Sequence, residues 1–176
     1  CSQCAPGDWA AAASVNCSTC PAGRYSGLGA PGCSACDPGR ASAEAGSAAC
    51  EACLPGFYAA NASARNCTAC AAGTVQGASG QEGCEACAPG TVAPAPAATA
   101  CAKCSSGTFA PAAGAAACGE CAPGTSQRVS GAESCEPCGA GTFAPDSGSV
   151  ACSACPVGYD AGEGSATCDR AAAGFY

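Results

Sequence analysis

Bulky apolar side chains are sparse in this chain and fall at one recurring place. Trp9, Tyr25, Tyr58, Val75, Val92, Phe109 and Phe143 each stand two residues after a glycine and five after a cysteine, Tyr176 stands two after a glycine and five after Ala171, and Ala41, Ser126 and Asp160 break the rule. The glycine itself is invariant across the eleven copies: Gly7, Gly23, Gly39, Gly56, Gly73, Gly90, Gly107, Gly124, Gly141, Gly158 and Gly174. Five copies place proline just before it (Pro6, Pro38, Pro55, Pro89, Pro123). Proline fixes φ and glycine accepts φ > 0, so each repeat is expected to open with a type II turn. Thr-Val and Thr-Phe steps follow (Thr74-Val75, Thr91-Val92, Thr108-Phe109, Thr142-Phe143), which suit a short β-segment. A second glycine recurs four residues before the next cysteine pair, at Gly29, Gly46, Gly80, Gly114, Gly131, Gly148 and Gly164, where the chain must fold back. Glycine and proline interrupt every stretch long enough to nucleate a helix, so none is expected.

The clock behind this pattern is cysteine. Ten Cys-x-x-Cys pairs recur every 16 or 17 residues, and an eleventh begins at Cys168 but has Ala171 in place of its second cysteine. The expectation is a small disulfide-rich fold with little regular secondary structure. It is an elongated tandem array over residues 1–176, with units starting near Cys1, Cys17, Cys33, Cys50, Cys67, Cys84, Cys101, Cys118, Cys135, Cys152 and Cys168. Opening in mid-pattern and lacking Met, the chain reads as a piece of something longer.

Composition explains why cross-links are needed. Leu occurs only at Leu28 and Leu54, Ile is absent, and aromatics make up 5% of the residues. No unit of this size can bury enough apolar area to offset roughly 1.5 kcal/mol of ordering entropy per residue. Twenty-one cysteines supply the alternative, and disulfides imply an oxidising, extracellular compartment. The bulky slot is expected to pack on the neighbouring disulfide as the sole core residue of its unit, with ligand stacking as the other reading.

Three pairings are open from sequence alone. The second cysteine of each pair bonds the first of the next, from Cys4–Cys17 to Cys155–Cys168; or adjacent pairs interlock, Cys1 with Cys17 and Cys4 with Cys20; or each Cys-x-x-Cys closes on itself as a redox centre. The first accounts for Ala171, because Cys168 then already has its partner. It would send Cys1 to an upstream segment.

The charge of −7 is spread, with Lys103 and five arginines forming no basic stripe, so nucleic acid is not an expected partner. No apolar run approaches the ~20 residues of a membrane span. Zinc is the rival use of Cys-x-x-Cys spacing, but ten contiguous pairs, the absence of His and turns built for short loops argue for disulfides. No calcium loop is evident. Without His, and with scattered carboxylates, the chain is expected to be non-enzymatic and to need no metal or cofactor. Glu51, Glu85, Glu120 and Glu136, inside cysteine pairs, are expected to be solvated.

Modification is better supported. Asn61-Ala62-Ser63 is a glycosylation sequon, and Asn16-Cys17-Ser18 and Asn66-Cys67-Thr68 fit the pattern with cysteine in the middle. Three matches by chance are the bland alternative. Pro94, Pro111 and Pro145 share one slot, each after alanine, and would be O-glycan sites in a source that hydroxylates such prolines.

The segments CAKCSSGTFAPAAGAAACGEC (Cys101 to Cys121) and CEACLPGFYAANASARNCTAC (Cys50 to Cys70) resemble the ephrin-receptor-like cysteine-rich repeat. They are also similar to the small single-disulfide module of tumour necrosis factor receptor ectodomains. The resemblance covers essentially the whole chain. By likeness to the latter family it implies the first pairing, sequential among Cys4, Cys17, Cys20, Cys33, Cys36, Cys50, Cys53, Cys67, Cys70, Cys84, Cys87, Cys101, Cys104, Cys118, Cys121, Cys135, Cys138, Cys152, Cys155 and Cys168. It also implies a secreted or cell-surface location. The expected function is a stalk, spacer or subunit of an extracellular fibre or matrix, partnered by itself or by other matrix proteins. The alternative is a ligand-binding receptor or adhesin segment, hinted at only by Trp9 and the Phe57/Tyr58 pair.

Overall fold

The computed structural model describes residues 3–12 and 14–171; Cys1, Gly174 and Tyr176 therefore lie outside the described residues. Twenty two-residue strands form ten two-stranded sheets, and no helix occurs among the described residues. Each strand after the first turn pairs antiparallel with the interior of the following Cys-x-x-Cys. Asp8–Trp9 pairs with Ser18–Thr19, and Thr108–Phe109 pairs with Gly119–Glu120. Two strands of two residues cannot stand alone. A cross-link beside each pair supplies what the ladder lacks.

The first turn is the type II turn that Pro-Gly predicts. In most of the described copies the residue after the glycine donates its N–H to the carbonyl three residues back, as in Phe57 to Leu54 at 3.0 Å, and the glycine adopts φ between +76° and +91°. Threonine after the glycine adds a clamp, its Oγ1 donating to that same carbonyl: Thr91 to Ala88 (2.7 Å), Thr108 to Ser105 (2.8 Å), Thr125 to Ala122 (2.7 Å) and Thr142 to Gly139 (2.6 Å). The second turn is also left-handed. Seven of its positions are the glycines read from the sequence, and two are Ser63 (φ 62°) and Ala97 (φ 57°), which a pattern of glycines does not mark.

The chain divides into two compact units. The first comprises Cys1–Ala71, Val75–Glu85 and Ala95–Ala100. Within it, successive repeats are joined by backbone bonds of one recurring design. Gly23 donates to the Ser42 carbonyl (2.8 Å), Cys36 donates to Gly23 (3.0 Å), Ser42 donates to Ala64 (3.1 Å), and Ser63 donates to Cys36 (2.8 Å). The second unit comprises Ala72–Thr74, Ala86–Pro94 and Cys101–Tyr176. There Gly107 donates to Gln127 (2.7 Å), Cys121 to Gly107 (2.9 Å), Gln127 to Ser149 (3.1 Å), and Gly148 to Cys121 (2.8 Å).

This bonding decides what can be buried. The largest fully buried side chains among the described residues are eight of the second cysteines, Cys20, Cys36, Cys53, Cys70, Cys87, Cys104, Cys121 and Cys138, together with Ser26. Beside them lies a slot six residues after the second cysteine, buried at Ser26, Ser42, Ala59, Ala93, Ala110, Gln127, Ala144 and Ala161 and half-buried at Ala10 and Gln76. The bulky slot is different. Trp9, Tyr25, Tyr58, Val75, Phe109 and Phe143 are only half-buried, whereas Val92, Ala41 and Ser126 are buried. The expectation that a ring is the sole core residue of its unit is therefore corrected. Repeats bonded backbone to backbone leave room between them for sulfur and a small side chain, and push rings to the margin. Where the small slot is polar, its hydrogen-bonding groups find partners. Ser26 Oγ donates to Asp8 O (3.0 Å), Ser42 Oγ to Ser47 Oγ (2.6 Å) and Gln127 Nε2 to Ser134 O (2.8 Å). Among the described residues no buried side-chain nitrogen or oxygen is left without a partner.

Candidate functional site

Twenty of the cysteines are joined in ten disulfides, each from the second cysteine of one pair to the first of the next: Cys4–Cys17, Cys20–Cys33, Cys36–Cys50, Cys53–Cys67, Cys70–Cys84, Cys87–Cys101, Cys104–Cys118, Cys121–Cys135, Cys138–Cys152 and Cys155–Cys168. Their Cα atoms lie 5.6 to 5.8 Å apart, the ordinary spacing for a cystine. Each closes a separation of 13 or 14 residues. A loop of that size is worth about 3 kcal/mol on the chain-entropy model. No three His, Cys, Asp or Glu side chains gather at metal-binding spacing among the described residues, and no helix there is long and apolar enough to cross a membrane.

The carboxylates inside the cysteine pairs, Glu51, Glu85, Glu120 and Glu136, are all exposed. So are the sequon asparagines Asn16, Asn61 and Asn66, and the prolines Pro94, Pro111 and Pro145. The structure thus keeps every predicted modification residue at the surface and does not bring them to one place. Asn16 lies beside Ser14, whose Oγ accepts from the Asn16 N–H (3.3 Å) and donates to the Asn16 carbonyl (3.1 Å). Asn61 lies two residues before the left-handed Ser63.

Asn66 has a different setting. It lines a surface concavity of about 340 Å³ in the first unit, with Glu51, Leu54, Phe57 and Arg65 among its walls. The Cys53–Cys67 disulfide builds it, because Leu54 follows one half-cystine and Asn66 precedes the other. Leu54 is 69% exposed. Two other arginines of this unit are committed to the backbone. Arg24 Nη1 donates to Cys33 O (3.2 Å) and Arg40 Nη1 to Cys50 O (2.9 Å), each bracing the carbonyl of a half-cystine. The Phe57/Tyr58 pair, the Asn66 sequon and Glu51 are the residues of this region that the sequence singles out. Leu54 and Arg65 carry no signal of their own, since a disulfide between distant positions is what brings them together.

The family model described as tyrosine-protein kinase ephrin type A/B receptor-like matches three overlapping segments, residues 56–100, 90–134 and 124–167. No curated protein matches the chain. Each matched segment carries the turn, strand and cystine described above, and together they span more than half of the sequence. The chain belongs to the ephrin type A/B receptor-like family of cysteine-rich repeats, domains of the extracellular receptor type.

Proposed function

We propose that this chain is a non-catalytic structural glycoprotein of the extracellular space, acting as a stalk, a spacer or a subunit of a fibre or matrix. One observation carries the reading: the same four backbone bonds and the same cystine recur from repeat to repeat. Its interior is filled mostly by sulfur and small side chains, with Val92 and Gln127 among the larger ones. Such an interior offers shape and toughness, and its inventory of histidine-free, scattered acid groups offers nothing that suits acid-base chemistry. Self-association or binding to other matrix proteins would supply the partners, and sugars on Asn16, Asn61 and Asn66, with Pro94, Pro111 and Pro145 as O-linked candidates, would cover the surface. Family membership favours a second reading, the ligand-binding segment of a cell-surface receptor or adhesin.

Electron microscopy of the native material separates the two. Regular filaments or lateral arrays labelled by an antibody to this chain support the structural role. Isolated, membrane-anchored particles that capture a soluble ligand overturn it.

A further inference from the structure

We propose that the concavity beside Asn66 is a seat for the first sugars of an N-glycan carried by Asn66 itself. The inference rests on the glycoprotein reading above and adds which acceptor is structurally coupled to the fold. Asn66 begins the sequon Asn66-Cys67-Thr68, is exposed, and is itself part of the wall. A glycan attached there begins inside the concavity and needs no affinity of its own to find it. The walls match the amphipathic surface of an N-acetylhexosamine. Phe57 and Leu54 present apolar surface to the C–H face of a pyranose ring, while Glu51 and Arg65 offer an acceptor and donors to hydroxyl and acetamido groups. Asn16, in the same slot of an earlier repeat, has Ser14 and Val15 before it and no comparable aromatic in the concavity near it, which is lined by Gln3, Ala10 and Val15.

The modification step is ordinary glycosyl transfer. Asn66 Nδ2 attacks C1 of an oligosaccharide carried on a lipid diphosphate, the C–N bond forms as the C1–O bond to diphosphate breaks, the transferase's base takes the amide proton, and the lipid diphosphate leaves. In the folded protein the Cys53–Cys67 cystine holds Leu54 and Phe57 beside the attached sugar.

The test uses the full chain secreted from a eukaryotic host, with site occupancy read by peptide mass spectrometry. The folded, oxidised protein is treated with a peptide-N-glycosidase, and release at Asn66 is followed over time. A seated glycan should leave about twofold to tenfold more slowly than from the folded Phe57→Ala protein, a range set by one aromatic contact. Leu54→Ser, at an exposed position, should give a smaller acceleration and guards against misfolding in the first variant. Both variants are to show ten disulfides by mass. Equal release rates in wild type and both variants overturn the seat, as does an Asn66 that carries no sugar. Neither result touches the filament test, which judges the structural role separately.

Discussion

The two left-handed turns of each repeat share a backbone conformation and differ in what surrounds them. At the first turn, a Cβ on Gly7, Gly39, Gly73 or Gly107 would overlap the carbonyl of Gly46, Gly80, Gly114 or Gly148, which belongs to the second turn two repeats onward. At that second turn the fit is looser, and what a Cβ first meets is a side chain rather than the backbone. A Cβ on Gly46 would stand 3.2 Å from Thr19 Cγ2, on Gly80 3.6 Å from Ala52, and on Gly114 3.8 Å from Ala86. The sequence obeys the difference: the first position is glycine in every copy, and the second admits Ser63 and Ala97. Positive φ costs an alanine roughly 1–2 kcal/mol, which a stapled fold can tolerate. A carbonyl in the way of Cβ is not tolerated. The second turn's peptide thus binds three repeats together, its N–H on the cysteine one repeat back and its C=O against the glycine two back, as Gly46 does with Cys20 and Gly7.

Substitutions can break this contrast in order of size. Gly107→Ala should be the most damaging, about 4 kcal/mol from strain at φ +80° plus overlap with the Gly148 carbonyl, measured by guanidinium denaturation without reductant. Removing one cross-link, with Cys104→Ala and Cys118→Ala together, should cost about 3 kcal/mol for its loop of 14-residue separation. Gly158 supplies an internal control. It has φ +84° but a Cβ placed on it would meet nothing within 4 Å, so Gly158→Ala should cost only about 1–2 kcal/mol. Equal losses at Gly107 and Gly158 would show that conformation alone selects glycine. The smallest effect runs the other way: Ala97→Gly should stabilise by up to about 1 kcal/mol, as relief of left-handed strain exceeds the added freedom of the unfolded chain.

Much of this architecture is legible in the sequence. The cysteine period, the Pro-Gly turn and the absence of helix follow from local chemistry, because φ preferences act within a few residues. The cystine pairing comes from resemblance, since spacing leaves three schemes open. Three features are hidden for a physical reason. Ala59, Ala93, Ala110 and Ala144 are buried, but alanine is so common in this chain that a buried copy looks like a solvated one. The contact between turns two repeats apart leaves no periodic signature, and only the contrast between an invariant glycine and one replaced at Ser63 and Ala97 betrays it. The concavity at Asn66 is the least visible, because the Cys53–Cys67 bond assembles it from Leu54, Phe57 and Arg65.

The central claim is that a ladder of sequential cystines, each joining one repeat to the start of the next, gives this chain its shape. A non-reducing peptide map of protein purified from its native source tests it most directly. Linked peptides pairing Cys36 with Cys50, Cys53 with Cys67 and Cys104 with Cys118 are expected, with an intact mass lower by about 20 Da than the reduced chain, two hydrogens per bond. Free thiols with bound zinc, or links joining Cys50 to Cys67 and Cys53 to Cys70, would contradict it.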